Sequence, residues 1–344
     1  MRTRKRIFGW SVLLAMTLTT ALAAEERAST PPQSLKLSTA QGPAYPLGKA
    51  GEVWATLIRE RSGGRLAVAH HPGATLSSRD PAREFGALRD RAFELAVGST
   101  LEWSAQVPQL NVLALPWLVA DAPTLDALVD GDVGRRLSSI LEASGVVAVA
   151  WASNGFIELA SKKPVRKPSD LESDQVRTQA LPLIVETLAA LGARPSAMSA
   201  ASARVALEKG ELDAQETTVA AYSAARLYAG PLVHLQLWHA HADALVFAVN
   251  RSVWDSWSES DRTLVREAAV DASREALALA RRLEDDGALA RLGAQGAIIT
   301  RLTPAGRDGF SEASRAVYDR WRPIIGIELV EAAEAAISAA QRHR

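Results

Sequence analysis

The chain has 344 residues, of which 48% are hydrophobic and 23% are charged. This composition excludes a disordered or fibrous protein, and the length is sufficient to divide a core between two domains. Lysine plus arginine and aspartate plus glutamate each total 39, so the formal net charge is zero. Because a positive excess is absent, we expect no nucleic acid partner.

The first residues have the pattern of a secretory signal peptide. Four basic residues within 2–6 precede an apolar stretch at Ile7–Leu22, and Ala21–Ala23 forms a small-x-small cleavage site. We expect residues 1–23 to be removed near Ala23. The alternative is an uncleaved membrane anchor, for which the apolar stretch is short. Removal takes four basic residues and no acidic ones, so 35 basic and 39 acidic residues remain, a formal charge of −4.

Cysteine is absent from the sequence. This excludes disulfides, thiolate nucleophiles and cysteine-based zinc sites. A chain of this size can rely on its core without such cross-links. Together with the export signal, the composition predicts a soluble protein of a bacterial periplasm.

From Leu35 onwards, strand-like and helix-like patterns alternate. The alternation implies right-handed parallel crossovers and therefore an α/β sheet domain. Because such sheets bind ligands at the carboxyl ends of their strands, we expect a site near the loops Ala40–Gly42 and Gly98–Thr100. The first predicted elements are strands at Leu35–Ser38, Leu66–Ala69 and Phe93–Val97 and helices at Leu47–Arg61 and Asp80–Arg91.

A second run of the same kind begins at Val146, and the chain after it becomes mostly helical. A helix from Ser258 to about Leu283 carries an alanine-rich stripe and would be about 37 Å long, enough to brace two domains. The other predicted elements are strands at Val146–Val149, around Val176 and at Leu245–Val249, and helices at Leu183–Leu191, Ser202–Lys209, Pro304–Arg322 and Glu328–Gln341.

The usual motifs of enzymes and metal sites are missing. Gly42–Ala50 departs from a phosphate loop, since it has five residues between its glycines and an alanine where a serine or threonine is needed. Asp130–Asp132 lacks the rest of a calcium loop and predicts a turn before a helix. The three histidines at 234, 239 and 241 lack an accompanying carboxylate pattern. We therefore predict no catalytic residue, no metal site and no cofactor.

Arg177 is the one charged residue in an informative position. It follows Val176 at the predicted carboxyl end of a strand, where open α/β sheets bind ligands. A guanidinium there can bind a carboxylate through two parallel hydrogen bonds. The alternative is an exposed ion pair.

Several stretches together resemble the extracytoplasmic solute receptors of TRAP transporters, the DctP family that includes C4-dicarboxylate and sialic-acid receptors. The resemblance covers about residues 35–320 and depends on the order and spacing of the segments. They are Pro72–Leu76, Phe93–Val97, Leu115–Leu118, Asn154–Phe156, Lys167–Leu171, Val176–Arg177, Leu191–Ala193 and Gly210–Glu216.

This resemblance implies a two-lobed periplasmic binding protein fold. Each lobe would be a mostly parallel sheet flanked by helices, and the long alanine-rich helix would cross both lobes. Lobe I would comprise residues 31–154 plus 243–282, and lobe II residues 155–242 plus 283–336. The family implies that Arg177 binds the carboxylate of an organic acid.

The resemblance also implies further cleft residues, for which ordinary packing is the alternative. They are Gln41, Asn154, Phe156, Trp238 and Asp243. Other positions depart from the sialic-acid receptors: Ser99 replaces an acidic residue, Ile157 replaces a second arginine, Thr217-Thr218 replaces Asn-Pro, and Ala201 replaces a phenylalanine. These departures predict a less cationic pocket that retains Ser99 and Thr217 as wall residues, and they favour an acid with one carboxylate.

The resulting hypothesis is a monomeric periplasmic receptor that captures a small organic acid and delivers it to the permease subunits of a TRAP transporter. One alternative keeps the fold but couples it to a sensor or an ABC-type permease. Another is a cofactor-free periplasmic enzyme that uses the carboxyl group of Glu216 or Asp213 as acid or base.

Overall fold

The computed structural model describes residues 31–342, and the signal peptide predicted at 1–23 lies outside them. The described strands form one mixed sheet in the order β2-β1-β3-β8-β4-β7-β5-β6, and β9 also pairs with β8. The strands are β1 (Gln33–Thr39), β2 (Leu66–Pro72), β3 (Leu95–Ser99), β4 (Val146–Ser161), β5 (Gln175–Thr178), β6 (Arg194–Ala197), β7 (Ala214–Thr217), β8 (His234–Asn250) and β9 (Ile298–Arg301).

Helices cover the sheet, and short 3-10 turns join some of the elements. The helices are α1 (Pro46–Arg61), α2 (Glu84–Arg89), α3 (Thr100–Trp103), α4 (Ala122–Asp130), α5 (Asp132–Ala143), α6 (Pro182–Ala190), α7 (Ala200–Glu208), α8 (Val219–Ala224), α9 (Arg251–Ser256), α10 (Glu259–Glu284), α11 (Asp286–Ala294), α12 (Pro304–Ala313), α13 (Arg315–Ile325) and α14 (Ile327–Arg342).

The two longest strands, β4 and β8, create two lobes from one sheet. They pair antiparallel from Val146 opposite Asn250 to Ser161 opposite His234. The three strands β3, β1 and β2 continue the sheet from the carboxyl-terminal half of β8, and β1 is parallel to both of its neighbours. At the other end, β7, β5 and β6 extend from β4, and β9 pairs with the first residues of β8. Each lobe thus has a mostly parallel part attached to the same antiparallel pair, as the sequence predicted.

Both long strands extend far beyond their predicted ranges, Val146–Val149 and Leu245–Val249. Polar residues interrupt the apolar pattern of each strand, at 153–154 in β4 and at 239, 241 and 243 in β8. The pairing continues past these residues with register shifts, one of them between Ser153 and Gly155. A bulge accommodates an extra residue without ending the ladder, which is why the periodicity alone ends β4 too early and begins β8 too late.

Two smaller predictions are also corrected. The helix predicted at Asp80–Arg91 is a 3-10 turn at Pro81–Arg83 followed by α2. The strand predicted at Phe93–Val97 begins only at Leu95, because the chain turns at Arg91, whose φ is +61°. The turn predicted at Asp130–Asp132 is confirmed, since α5 begins at Asp132.

The long helix α10 connects the lobes as predicted. Its 26 residues, about 39 Å in length, lie along β4 and contact both α1 and the short helix α8. Alanines without exposed surface form its buried stripe, so the helix lies close to its neighbours. The indole Nε1 of Trp54 in α1 donates to the carbonyl oxygen of Val265 at 3.0 Å and joins the two helices.

The carboxyl-terminal helices α13 and α14 cover the outside of the molecule. Helix α14 packs against α4 and α5, which the predicted boundaries assign to lobe I although they assign α14 to lobe II. Within residues 31–342, no helix is both long enough and apolar enough to cross a membrane.

Candidate functional site

A cleft of about 430 Å³ lies where the carboxyl ends of strands from both lobes meet. The loop after β1 contributes Gln41, and Tyr45, which immediately precedes α1, also lines the cleft. From the other lobe come Arg177 and Gln179 at the end of β5 and the 215–218 segment at the end of β7. Of the two strand-end loops at which the sequence predicted a site, Ala40–Gly42 lines this cleft and Gly98–Thr100 does not.

Arg177 is the basic residue of the cleft. Its Nε donates to the carbonyl oxygen of Met198 at 3.0 Å, which orients the guanidinium. The terminal amino groups have no hydrogen-bond partner within residues 31–342. Burial lowers the pKa of Arg177, and the nearby carboxyl of Glu216 partly opposes this. An arginine stays protonated under such conditions, so the cleft holds a positively charged fork with free donors.

Glu216 is a buried carboxyl group in the wall of the same cleft. Its Oε2 accepts a hydrogen bond from the hydroxyl of Thr178, while Oε1 is buried with no partner in the described part of the chain. Burial raises the pKa of Glu216 to about 8, although Thr178 and Arg177 act in the opposite direction. The side chain is therefore mostly protonated at neutral pH.

Asp243 accepts hydrogen bonds from two segments of the chain, residues 99–101 and Asn154. The hydroxyl of Ser99 donates to both of its oxygens at 2.8 and 2.9 Å, and that of Thr100 donates at 2.8 Å. The backbone N–H of Leu101 donates at 3.1 Å, and Nδ2 of Asn154 donates at 2.8 Å. Burial raises the pKa of Asp243, and these donors counteract the rise. The network fixes Leu101, which lines the cleft.

The predicted site residues fall into three groups. Gln41, Arg177 and Thr217 line the cleft. Asn154 lines a small adjoining cavity that it shares with Gln41, and it connects this cavity to Asp243. Ser99 and Asp243 are buried below the cleft and position its floor.

Phe156 and Trp238 are not brought to the cleft. Successive side chains of a strand point to opposite faces, and Ile157 is the β4 residue that lines the cleft. Phe156 instead stacks on the ring of His239, with ring centroids 4.1 Å apart. The indole of Trp238 donates to the carbonyl oxygen of Ile157 at 2.9 Å and packs against Trp117.

The sequence analysis missed several residues of the cleft wall. Tyr45 lies three residues after the predicted loop Ala40–Gly42, so extending that loop would have included it. Gln179 similarly follows Arg177 by two residues. The apolar residues Leu101 and Ile184 carry no sequence signal that separates a cleft wall from a core.

Two of the three histidines of β8, His239 and His241, lie within hydrogen-bond distance of backbone oxygens. Nδ1 of His239 lies 2.9 Å from the carbonyl oxygen of Ala120, and Nδ1 of His241 lies 2.7 Å from that of Ala114. Within residues 31–342, no group of three or more histidine, cysteine, aspartate or glutamate side chains is arranged to hold a metal ion.

Comparison with known proteins identifies the family of this fold and cleft. The model of the bacterial extracellular solute-binding protein family 7, DctP, matches residues 37–323. The chain belongs to this family. Its members include receptors of TRAP transporters, and the two-lobed fold found here is theirs.

Individual relatives of this DctP-family chain agree with the assignment. A TRAP periplasmic solute-binding protein from Ralstonia eutropha H16, solved with bound (S)-2-acetolactate, is 43% identical, has a TM-score of 0.85 and covers 89% of this chain and 99% of its own. The C4-dicarboxylate-binding periplasmic protein DctP of Rhodobacter capsulatus is 25% identical over 333 residues, covering 96% of this chain and 98% of that protein. An uncharacterized protein of Sinorhizobium fredii is 29% identical in an alignment of 341 residues that covers 94% of this chain but 59% of that protein.

Proposed function

We propose that this chain is the solute receptor of a TRAP transporter and that it captures a small organic acid in the cleft between its lobes. The observation that carries the proposal is Arg177, which lines the cleft and keeps its terminal amino groups free of protein partners among the described residues. A ligand carboxylate at this position completes a charge-assisted pair with two hydrogen bonds. Acetolactate, the ligand of the Ralstonia relative, is a carboxylate, which supports this class of ligand.

Closure of the lobes would couple binding to delivery. Gln41 and Tyr45 line the cleft from one side and Arg177 and Thr217 from the other. A ligand that contacts both sides binds best when the lobes are close together, so binding shifts the population toward the closed form. We propose that the membrane permease subunits recognise this form, and that the lobes comprise residues 31–154 plus 243–282 and 155–242 plus 283–336.

Calorimetry with a panel of organic acids tests the role of Arg177. We expect Arg177→Ala to weaken binding at least tenfold, because a buried carboxylate loses its charged partner. Arg177→Lys should restore binding only in part, since an ammonium group cannot form the same paired contact. Arg204→Ala, which removes an exposed arginine on α7, is the matched control. Equal affinity in Arg177→Ala and wild type would contradict the assignment.

The permease partner and the location need separate tests. We propose export to the periplasm with cleavage near Ala23, which amino-terminal sequencing of the mature protein checks. Uptake into proteoliposomes that contain the two TRAP membrane subunits should require the receptor. Uptake with an ABC-type permease instead, or a response only from a sensor kinase, would favour the alternative partners.

We also propose that the receptor performs no chemical step. Asp213, one of the two carboxyl groups considered for catalysis, accepts hydrogen bonds from the backbone N–H of Gln175 at 3.0 Å and from Lys162 at 3.2 Å. It thereby joins β5 to β7 outside the cleft. Mass spectrometry of a bound acid after long incubation should recover the acid unchanged, and a product of different mass would support the enzyme alternative.

A further inference from the structure

The cleft and its adjoining cavity contain very few charged groups. Arg177 is the one basic residue among the described residues that line the cleft. The adjoining cavity shares Gln41, Tyr45 and Thr218 with the cleft and, within the part of the chain that the structure describes, adds no basic residue. Two carboxyl groups line the combined space, Glu216 in the cleft and Glu284 in the cavity.

These three groups, Arg177, Glu216 and Glu284, limit the net charge of the lining that a ligand meets. If both carboxyl groups are protonated, the net charge is +1, and ionisation of either group lowers it. Glu216 is buried and Glu284 is partly buried, and burial raises the pKa of Glu284 to about 7 and that of Glu216 to about 8. The lining therefore never exceeds one positive charge, whatever the protonation state of these groups.

The rest of the wall is neutral. Leu101, Ile157 and Ile184 supply apolar surface, and Gln179, Gln215 and Thr217 supply neutral hydrogen-bonding groups. Such a wall can accept alkyl, hydroxyl or oxo groups. A second carboxylate enclosed here would lose its hydration without meeting a cation, which is a large cost for a buried charge.

We propose that this cleft selects small organic acids that carry one carboxylate and neutral polar substituents, and that it discriminates against dicarboxylates. The inference rests on the proposed function and specifies the substrate class of the same site. Arg177 binds the single carboxylate, while the apolar side chain of Ile157 and the carboxyl group of Glu216 supply no cation for a second one. Specificity here comes from the missing second cation as much as from the contacts to the correct ligand.

Calorimetry on the mature wild-type protein with size-matched pairs of acids tests the proposal. One pair is 2-hydroxybutanoate and malate, and the other is succinamate and succinate; each pair differs by one carboxylate at similar size. We expect the acid with one carboxylate to bind at least tenfold more tightly within each pair. A dicarboxylate that binds as tightly as its partner, or more tightly, would overturn the inference.

A substitution that adds a second cation provides a gain-of-function test. Ile157→Arg places a guanidinium in the wall, so the preference for the acid with one carboxylate should fall at least tenfold or reverse. Val205→Arg adds the same charge at an exposed site on α7 and should leave the preference unchanged. An unchanged preference in Ile157→Arg, with a melting temperature close to that of the wild type, would count against the role of charge.

The proposed function and the selectivity fail in different ways. If both acids of a pair bind and Arg177→Ala weakens both, the receptor function stands, and the ratio within the pair decides the selectivity alone. If no acid binds to the wild type and none copurifies with it in native mass spectrometry, the receptor function itself is contradicted, and the selectivity fails with it.

Discussion

Nδ2 of Asn154 donates a 2.8 Å hydrogen bond to Oδ2 of Asp243 and joins β4 to β8 at the level where the two lobes meet. The two residues are 89 positions apart in the chain. The same carboxylate receives donors from Ser99, Thr100 and Leu101 at the end of β3. One buried acceptor thus fixes three segments around the floor of the cleft.

Truncation of this acceptor should destabilise the protein strongly. Asp243→Ala leaves several buried donors without a partner, each of which costs about 1–3 kcal/mol, so we expect a loss of at least about 3 kcal/mol in the free energy of unfolding. Ser99→Ala removes one donor and leaves the others, and it should cost about 1 kcal/mol. Urea denaturation of both variants checks that Asp243→Ala loses more stability than Ser99→Ala. A smaller loss for Asp243→Ala than for Ser99→Ala would show that the network is not held by the carboxylate.

The bulge at Gly155 gives a second prediction. Gly155 has a φ of +92°, and a Cβ at this position would lie 2.9 Å from Oε1 of Glu284, the last residue of α10. We expect Gly155→Ala to cost about 1–2 kcal/mol from backbone strain, because the carboxyl end of the flexible Glu284 side chain can move away from an added Cβ. Gly210 has a φ of +77° and open space around it, so Gly210→Ala isolates the backbone strain at about 1–2 kcal/mol. Thermal unfolding of both variants should give similar losses, and a clearly larger loss for Gly155→Ala would show that Glu284 is held in place.

His241 predicts how stability depends on pH. Burial lowers the pKa of this side chain to about 4, and its Nε2 has no partner among the described residues. Because the unfolded chain binds the proton with a pKa near 6.5, the unfolded state takes up more protons than the folded state between these values. The contribution of His241 is therefore complete above pH 6.5 and is lost as the pH falls toward 4, by up to about 1.4 kcal/mol per pH unit.

Substitution of His241 measures how much of the loss of stability at acidic pH comes from this side chain. His241→Gln should lose stability less steeply than the wild type between pH 6.5 and 4.5 in urea titrations, even if it is less stable at pH 7. Parallel curves for the two proteins over this range would refute the assigned pKa.

The alanine stripe of α10 predicts sensitivity to added volume. Ala272 has no exposed surface and belongs to the face that packs on α1 and β4. Ala272→Leu should cost about 1–3 kcal/mol, because a larger side chain forces the helix away from these elements. Glu275→Leu, one position on the exposed side of the same helix, should change the free energy by less than about 0.5 kcal/mol. Guanidinium denaturation measures the free energy of unfolding of both variants. Similar losses would mean that the buried stripe accommodates a larger side chain.

The sequence predicted those parts of the fold whose signal is local. The strand at Leu35–Ser38, the helix at Leu47–Arg61 and the capped start of α10 at Ser258 depend on periodicity and capping within a few residues of each other. The middle of β8 could not be predicted in this way. His241 and Asp243 break the apolar pattern, and they are tolerated inside the sheet only because Ala114 and Ser99, distant in sequence, supply their hydrogen-bond partners.

The same distinction between local signals and long-range contacts applies to the candidate site. Arg177 lies near the end of β5 and Gln41 lies in the loop after β1, so the rule that ligands bind at strand ends was enough to place them at the cleft. The sequence placed Phe156 at the cleft, whereas in the structure its neighbour Ile157 lines the cleft. The bulge at Gly155 changes which side chains of β4 face the cleft. Trp238 was misplaced because its partner Trp117 comes from a segment that carries no pairing signal in the sequence.

The shared pair β4 and β8 makes neither lobe a continuous stretch of chain. Glu158 Oε2 accepts from the backbone N–H of Trp238, 80 residues later, and similarly remote pairs extend along both strands. Each such contact closes a long loop of chain before it contributes to stability, so formation of this pair is entropically expensive and slow. We therefore expect the two lobes to form only after this long-range pairing and in one cooperative folding step. Separate expression of either half should yield no folded lobe.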